Sequence, residues 1–431
     1  MGRTADMGRN GGDNRQSGTA ADMIVAQLPH AEWQQAPGLK KVLALLADTH
    51  GGPRYVGGAV RDTLLGLPVS DVDIATALLP ETVMDRLEAG GVKAVPTGLD
   101  HGTITAVVDG KNYEITTLRR DVSTDGRRAT VAFATDWRED AARRDFTINA
   151  LYADPQTREV FDYFGGLRDL ENGCLRFIGD ATQRIAEDFL RILRYFRFLA
   201  RFGSGPVDAD AIHACAQGAH GLTALSRERI AQELARLLSL KNPAASVGLM
   251  IDNGIFAPFL PELCSDAHDR LQRLVRREQL LNQPLSLPAR LLSILVTDPV
   301  AVDKVAARLK LSNKMRENLA NRLNAGAPTQ GNIRAIAYRF DNDAARDVAM
   351  LFADDNALPL CLARLDNWDS PIMHIKGGDL IKMGLPAGPL VAKTLQELEA
   401  NWVAEDFPLS DRQSELALQL VEAAMSAAKK A

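Results

Sequence analysis

Two carboxylates, Asp71 and Asp73, stand two residues apart in the run Val69-Ser70-Asp71-Val72-Asp73-Ile74-Ala75-Thr76. On a strand, alternate side chains share a face, so both carboxylates point one way while Val72 and Ile74 point into a core. Neighbouring carboxylates repel unless a cation lies between them, and the usual cation is a divalent metal. Just upstream, Tyr55-Val56-Gly57-Gly58-Ala59-Val60-Arg61 reads as a short strand, a double-glycine turn and the start of a helix. Gly57 and Gly58 let the backbone approach a ligand closely and can aim amide N–H groups at a phosphate. Arg61, one turn into that helix, can add a charge-assisted contact to the same phosphate. Alone, Gly-Gly is a turn and Asp-x-Asp a solvated strand edge. Joined in this order in one strand–turn–helix–strand unit, they describe a nucleotide site.

The remainder of the chain must build and position that unit. At 431 residues it is too long for one compact core, so two to four domains are expected. Its 46% hydrophobic and 24% charged residues are those of an ordinary globular protein. No apolar run approaches the roughly 18–20 residues that span a bilayer, and no signal-peptide core is visible. Cys174, Cys215, Cys264 and Cys361 are far apart and read as free thiols of a reducing cytoplasm, not as a disulfide frame or zinc site. A net charge of −5 leaves nucleic-acid binding open, because phosphate contacts need only a local basic patch.

Residues 1–22, rich in Gly, Asn, Arg and Ser, are expected to be disordered. A helix between His30 and Thr49 precedes the glycine turn. Pro80–Ala89 reads as a helix, and 93–97, 103–108 and 113–118 as strands, with Asp109-Gly110 as a hairpin turn. Glu114, on the last of these, is a third carboxylate beside the Asp-x-Asp strand. The polar stretch Asp121–Asp140 reads as a mobile loop. From Asp180 the pattern turns helical, with Ile185, Phe189, Ile192, Leu193 and Phe196 on one side. Asp188 and Arg191 are i, i+3 neighbours on that helix. Together a carboxylate and a guanidinium can imitate the pairing edge of a template base, one accepting from an exocyclic amine and the other donating to a ring acceptor. Cytosine and adenine share that pattern. Beyond Lys241 the sequence is helical to its end, and Arg270, Arg273, Arg276, Arg277, Arg290, Lys304, Arg308, Lys310, Lys314, Arg316 and Arg322 concentrate basic charge that can follow RNA phosphates. His268-Asp269 lacks the further histidines of a metal-dependent phosphohydrolase.

Gly57-Gly58-x-Val60-Arg61-Asp62 followed by Leu65-Gly66 and Asp71-x-Asp73 resembles the signature of class II CCA-adding enzymes and bacterial poly(A) polymerases. The resemblance is strong from about residue 52 to 235 and weak beyond. It implies a polymerase-β-like α/β nucleotidyltransferase head over 23–175, an all-α neck over 176–240, and a helical body and tail over 241–431. It gives Glu114 a catalytic place beside Asp71 and Asp73, which would hold two Mg²⁺ for two-metal nucleotidyl transfer with pyrophosphate release. Arg143-Arg144-Asp145 is similar to the family's second motif, which implies phosphate contact for Arg144 and ribose contact, or orientation of the arginines, for Asp145. Glu187-Asp188-x-x-Arg191-x-x-Arg194 is similar to its nucleotide-selecting motif, with Arg194 and Arg197 fanning toward the triphosphate. Glu228-Arg229 through Glu233 is similar to a motif that braces the selecting helix. In the family the loop after Glu114 helps the switch from adding C to adding A, and enzymes that add only CC have it shortened. Here it is full length, although Arg127-Arg128-Ala129-Thr130 departs from the family's usual sequence.

The activity this implies is untemplated addition of C, C and A to tRNA 3′ ends from CTP and ATP. The rivals are a bacterial poly(A) polymerase, a CC-only enzyme, and a catalytically silent RNA-binding relative. Thr97-Gly98-Leu99-Asp100-His101-Gly102-Thr103 is more like CCA-adding sequences than the arginine-rich stretch of the first rival. Both metal carboxylates are present, against the last.

Overall fold

The computed structural model describes residues 24–48, 52–125 and 128–430; the expected disordered segment 1–22 lies outside them. The chain divides into two compact units, one ending at Gly221 and the other beginning at Leu222. That boundary falls inside the helical stretch expected as a neck.

The first unit carries strands β1 (Ile24–Gln27), β2 (Arg54–Val56), β3 (Asp73–Thr76), β4 (Lys93–Gly98), β5 (Thr103–Val108), β6 (Lys111–Thr117), β7 (Arg119–Asp125), β8 (Arg128–Phe133), β9 (Leu151–Ala153) and β10 (Glu159–Asp162). Its helices are α1 (Pro37–Leu45), α2 (Gly58–Leu64), α3 (Pro80–Ala89), α4 (Trp137–Ala142), α5 (Gly166–Glu171), α6 (Ala181–Glu187), α7 (Leu190–Phe202) and α8 (Ala209–Gly218). Eight strands form one sheet in the order β1-β10-β9-β2-β3-β6-β5-β4. The β3–β6 pair is parallel, and its neighbours β2–β3 and β5–β6 are antiparallel. Asp109 and Gly110 join β5 to β6 with φ of 50° and 74°, the doubly left-handed turn that matches strand twist.

Strand alternation assigns the two faces of the sheet. Tyr55, Ile74 and Ile115 are register partners on three neighbouring strands, and all are buried. One residue along, Val56, Asp73 and Glu114 are partners on the opposite face. Val56, Ala75, Tyr152 and Phe161 pack there with Leu118, Ala141 and Ile178 in one apolar cluster.

Two expectations need correction. The stretch 121–140 is not a simple loop: β7 and β8 pair from Arg119↔Phe133 to Asp125↔Arg128 as a separate two-stranded sheet, and α4 follows. Its polarity hid the strands, because a hairpin paired only with itself needs no continuous apolar face. Nor is there one helix from Asp180. The chain breaks at Asp188, which is extended (φ −152°, ψ 106°). Its Oδ1 accepts the Leu190 amide at 3.0 Å, and a short polar side chain that captures a backbone N–H favours a helix end over a helix interior.

The second unit is helical among its described residues, from Arg227–Leu238 to Ser410–Lys430. Its last three helices, Gly377–Lys382, Pro389–Ala404 and Ser410–Lys430, enclose a small core of their own around Leu380, Leu398 and Leu416. Much of the basic stripe read from the sequence is structural. Arg270 donates to the carbonyls of Leu292 and Leu295, and Arg277 to those of Met350 and Ala353. Arg322 pairs with Asp347 at 2.6 Å and Arg308 with Glu262. Arg316 pairs with Asp303 and Lys310 with Glu228. Arg273, Arg276, Lys304 and Lys314 are exposed. Arginine supplies five donors in a planar fork, so it can gather the unpaired carbonyls at helix ends as readily as it can bind phosphate.

Arg290 is the extreme case. Only 2% exposed, it pairs with the buried Glu278 at 2.7 Å and donates to the carbonyls of Leu238, Leu240 and Lys241. Truncating one partner strands a buried charge, which costs about 3–5 kcal/mol. Arg290→Ala is therefore expected to destabilise the second unit by that amount in denaturant unfolding. The double variant Arg290→Met/Glu278→Leu should recover most of the loss; a cost below about 1 kcal/mol for Arg290→Ala would contradict the assignment.

Candidate active site

The register lays one row of side chains across four strands. Tyr152 on β9 pairs with Val56 on β2, Val56 with Asp73 on β3, and Asp73 with Glu114 on β6. Strands lie about 4.8 Å apart, so Asp73 stands one strand from Glu114 and two from Tyr152. The strand begins at Asp73, and Asp71 lies just ahead of it in an exposed segment. Both carboxylates thus sit at the start of β3 rather than along it. The Ser70 hydroxyl donates to Asp71 Oδ2 at 2.8 Å.

Burial raises the Asp73 pKa to about 6, helped by the negative charges of Glu114 and Asp71 and opposed by Arg144. Asp73 therefore senses two carboxylates and one guanidinium. Among the described residues, no three His, Cys, Asp or Glu side chains are placed to hold one ion. The set still fits Mg²⁺, which is commonly bound by one or two carboxylates together with substrate phosphates. Carboxylate oxygens are hard donors suited to that ion.

The glycine turn abuts this row. Gly57, the residue before α2, has φ 66° and ψ −118°, and a Cβ there would lie 3.5 Å from Arg144 Nη1 and from the Asn149 carbonyl. One at Gly58 would lie 3.7 Å from Arg61 Nη2. Arg61 is buried; it pairs with Asp62 at 2.7 Å, donates to Asn149 Oδ1, and lies 4.3 Å from the Phe202 ring. Its guanidinium is occupied inside the protein. Burial lowers its pKa, against the pull of Asp62.

Arg143, Arg144 and Asp145 follow α4. Asp140, buried at 1% exposure, accepts from Arg143 Nε at 2.8 Å, Arg144 Nη2 at 3.2 Å and the Tyr152 hydroxyl at 2.6 Å. It also accepts the Arg119 amide at the root of β7. Burial alone would raise the Asp140 pKa, but Arg144, Arg143 and these hydrogen bonds bring it to about 2. Asp145 is buried too: Oδ1 accepts from Asn149 at 3.0 Å, and Oδ2 takes Arg194 Nε and Nη2 at 2.8 and 2.5 Å. Burial opposes its ionisation, yet the Arg194 charge and the Asn149 bond hold it below the usual carboxylate range.

A family model described as the Poly A polymerase head domain matches residues 54–176. A second, described as a probable RNA and SrmB-binding site of polymerase A, matches 207–266. The mouse protein "CCA tRNA nucleotidyltransferase 1, mitochondrial" is 35% identical over 395 residues, 88% of this chain and 90% of that protein. The human protein of that name is 36% identical over 405 residues, covering 90% and 91%. A "CCA-adding enzyme" of Leuconostoc mesenteroides is 31% identical over 408 residues, covering 89% and 95%. The chain belongs to the CCA-adding nucleotidyltransferase family. The crystal structure of the Bacillus stearothermophilus CCA-adding enzyme in complex with CTP superposes with a TM-score of 0.72 at 28% identity, covering 92% of this chain and 100% of that one. The α/β head and helical remainder are the fold expected of this family.

Within this family member the helical motif residues have partners that the sequence did not disclose. Arg191 pairs with Glu187 at 2.5 Å and donates to the Arg184 carbonyl at 2.6 Å. Arg184 in turn donates to the Arg143 and Arg144 carbonyls. Asp188 caps α7. Arg194 is committed to Asp145, and the Arg197 guanidinium lies 4.6 Å from the Phe198 ring. In the second unit, Glu228 pairs with Lys310 at 2.6 Å and the buried Glu233 with Arg236 at 2.9 Å; Arg229 shares their helix. Asp140, Asn149 and Tyr152 were given no role from the sequence, and Glu187 entered only as the first residue of the selecting motif. The i, i+3 and i, i+4 spacing of Asp140 to Arg143 and Arg144 was the available signal.

The Asp140 carboxyl titrates near 3.9 in an unfolded chain and near 2 in the fold. Its stabilisation is complete above about pH 5 and disappears as pH falls toward 2. Asp140→Asn is expected to cost about 2–3 kcal/mol at pH 6, with the gap to the parent shrinking below about 1 kcal/mol at pH 2.5. Urea unfolding at both pH values measures this; a gap independent of pH would refute it.

Proposed function

We propose that this chain adds C, C and A to tRNA 3′ ends from CTP and ATP without a template, releasing pyrophosphate. The observation that carries this reading is the Asp73–Glu114 row beside Asp71, the Gly57-Gly58 turn and Arg144, in a chain alignable with CCA-adding relatives over most of its length. Asp71 and Asp73 would hold two Mg²⁺, one of which would activate the attacking 3′-hydroxyl while the other would steady the triphosphate and departing pyrophosphate. Glu114 adds negative potential at the same edge and strengthens cation attraction. The Gly57-Gly58 backbone approaches the phosphates, and Arg144 supplies positive charge to them. Arg61, Asn149, Asp145 and Arg194 form a chain of contacts that fixes α2 against α7; in this role they orient the turn, with the ribose within reach of Asp145. Asp188 and Arg191 select the base, with Arg197 nearby and Glu228, Arg229 and Glu233 in support.

Residues 176–240 are assigned as the selecting neck and 241–431 as the tRNA-binding body and tail, where exposed Arg273, Arg276, Lys304 and Lys314 can meet phosphates. The paired hairpin of residues 119–133 favours complete CCA addition over the CC-only reading. The free cysteines suit a reducing compartment. We assign the cytoplasm, with the mitochondrion the alternative raised by the names of the mouse and human relatives.

Purified protein with Mg²⁺ and tRNA transcripts ending before CCA, in CC or in CCA tests the reading. Addition that stops at CCA is expected. A long A tail from ATP alone makes the chain a poly(A) polymerase, and a halt at CC assigns the CC-only activity. Asp73→Ala should lower kcat by roughly 10³-fold or more with tRNA affinity unchanged; normal turnover would discard the metal assignment. Arg191→Ala should admit UTP more than it slows CTP addition, and unchanged selectivity against UTP would remove it from base selection.

A further inference from the structure

The network behind the metal edge assigns a task to two residues outside the carboxylate and glycine motifs. We infer that Asp140 and Tyr152 are positioning residues that aim Arg144 at the nucleotide triphosphate. The inference rests on the reading above and specifies how its phosphate site is held.

The guanidinium of Arg144 has three nitrogens, and two are anchored from behind. Nε donates to the Tyr152 hydroxyl at 3.1 Å, and Nη2 to Asp140 Oδ2 at 3.2 Å. The Tyr152 hydroxyl donates to the same Oδ2 at 2.6 Å, closing a triangle of three side chains. Nη1 has no hydrogen-bond partner among the described residues and lies 3.5 Å from where a Cβ on Gly57 would stand. A guanidinium is planar and its donors have fixed directions, so anchoring two nitrogens sets the direction of the third. That direction is toward the glycine turn, on the edge where Asp73 senses the Arg144 charge.

The anchors are themselves rigid. Tyr152 is fully buried, forms an edge contact with Trp137 at 5.5 Å between ring centroids, and shares the sheet row of Asp73. Asp140 is held by the Arg143 side chain and the Arg119 amide as well. An arginine left to its own four side-chain torsions would lose conformational entropy each time it met a triphosphate. Here that ordering is complete before the nucleotide arrives, so it costs binding less. The charge is also preserved: Asp140 and Tyr152 hold Arg144 firmly protonated.

Tyr152→Phe keeps the ring and the Asp140–Arg143 and Asp140–Arg119 bonds while removing the tether to Nε. It is expected to weaken CTP binding to the tRNA-free protein and to raise KM for CTP and ATP, each by roughly 5- to 20-fold, with tRNA affinity unchanged. Asp140→Asn should do the same or more. In an Arg144→Ala background, adding Tyr152→Phe should change the nucleotide Kd by less than about twofold, because the group being aimed is gone. Equilibrium binding of CTP and steady-state kinetics on the tRNA ending before CCA read these effects. Unchanged CTP Kd and KM in folded Tyr152→Phe would overturn the positioning role, as would an equal loss with and without Arg144. A parent protein that neither binds CTP nor extends tRNA would instead overturn the functional reading on which it rests.

Discussion

Three carboxylates gathered at one end of a sheet repel one another, and the first unit is built around keeping them together. Asp73 and Glu114 owe their proximity to backbone pairing, and Asp71 lies just ahead of the paired segment. The parallel register of β3 with β6 puts Asp73 beside Glu114 whatever the charges prefer. Burial, and with it that repulsion, raises the pKa of Asp73, and the Arg144 charge acts against both. An arginine used this way must not swing away. Its tether to a buried Asp140 and a buried Tyr152 is the structural price of a site that leaves room for a cation.

A second set of ion pairs connects the glycine turn to the helices that follow. Asp62 receives Arg61 from its own helix and Arg201 from α7, and Asn149 links Arg61 to Asp145, which Arg194 clamps. Motif residues far apart in the chain are therefore mechanically continuous within the first unit. Arg61 and Arg194 join these elements, and each joint helps fix the angle of a helix that presents the next motif.

Legibility followed the range of the interaction. The helix 80–89 and the hairpin at Asp109-Gly110 were readable because proline at a helix start and a doubly left-handed turn are local signals. The adjacency of Asp73 and Glu114 was readable through the order of their motifs. The helix break at Asp188 was not, because an apolar spacing from Ile185 to Phe196 continues across it; the side chain that ends one helix and caps the next carries no periodicity. The partners of Arg191 and Arg194 were equally hidden. Glu187 competes with Asp188 for the first at a spacing of four, and Asp145 reaches the second only through the fold. Basic residues such as Arg290 and Arg277 look alike to any charge count, whether they face solvent or tie helix ends together.

The order in which the site leaves the ribosome follows from the strand register. Asp71, Asp73 and Glu114 are all synthesised before Arg144, and the outermost pairing, Ala26 with Val160, joins residues more than a hundred positions apart. At about 5–20 residues per second, roughly 2–6 s separate Glu114 from Arg144. During that interval the chain carries all three carboxylates but not yet the arginine that offsets them. Asp140, Arg144 and Tyr152, which offset and anchor that edge, then arrive together within thirteen consecutive residues.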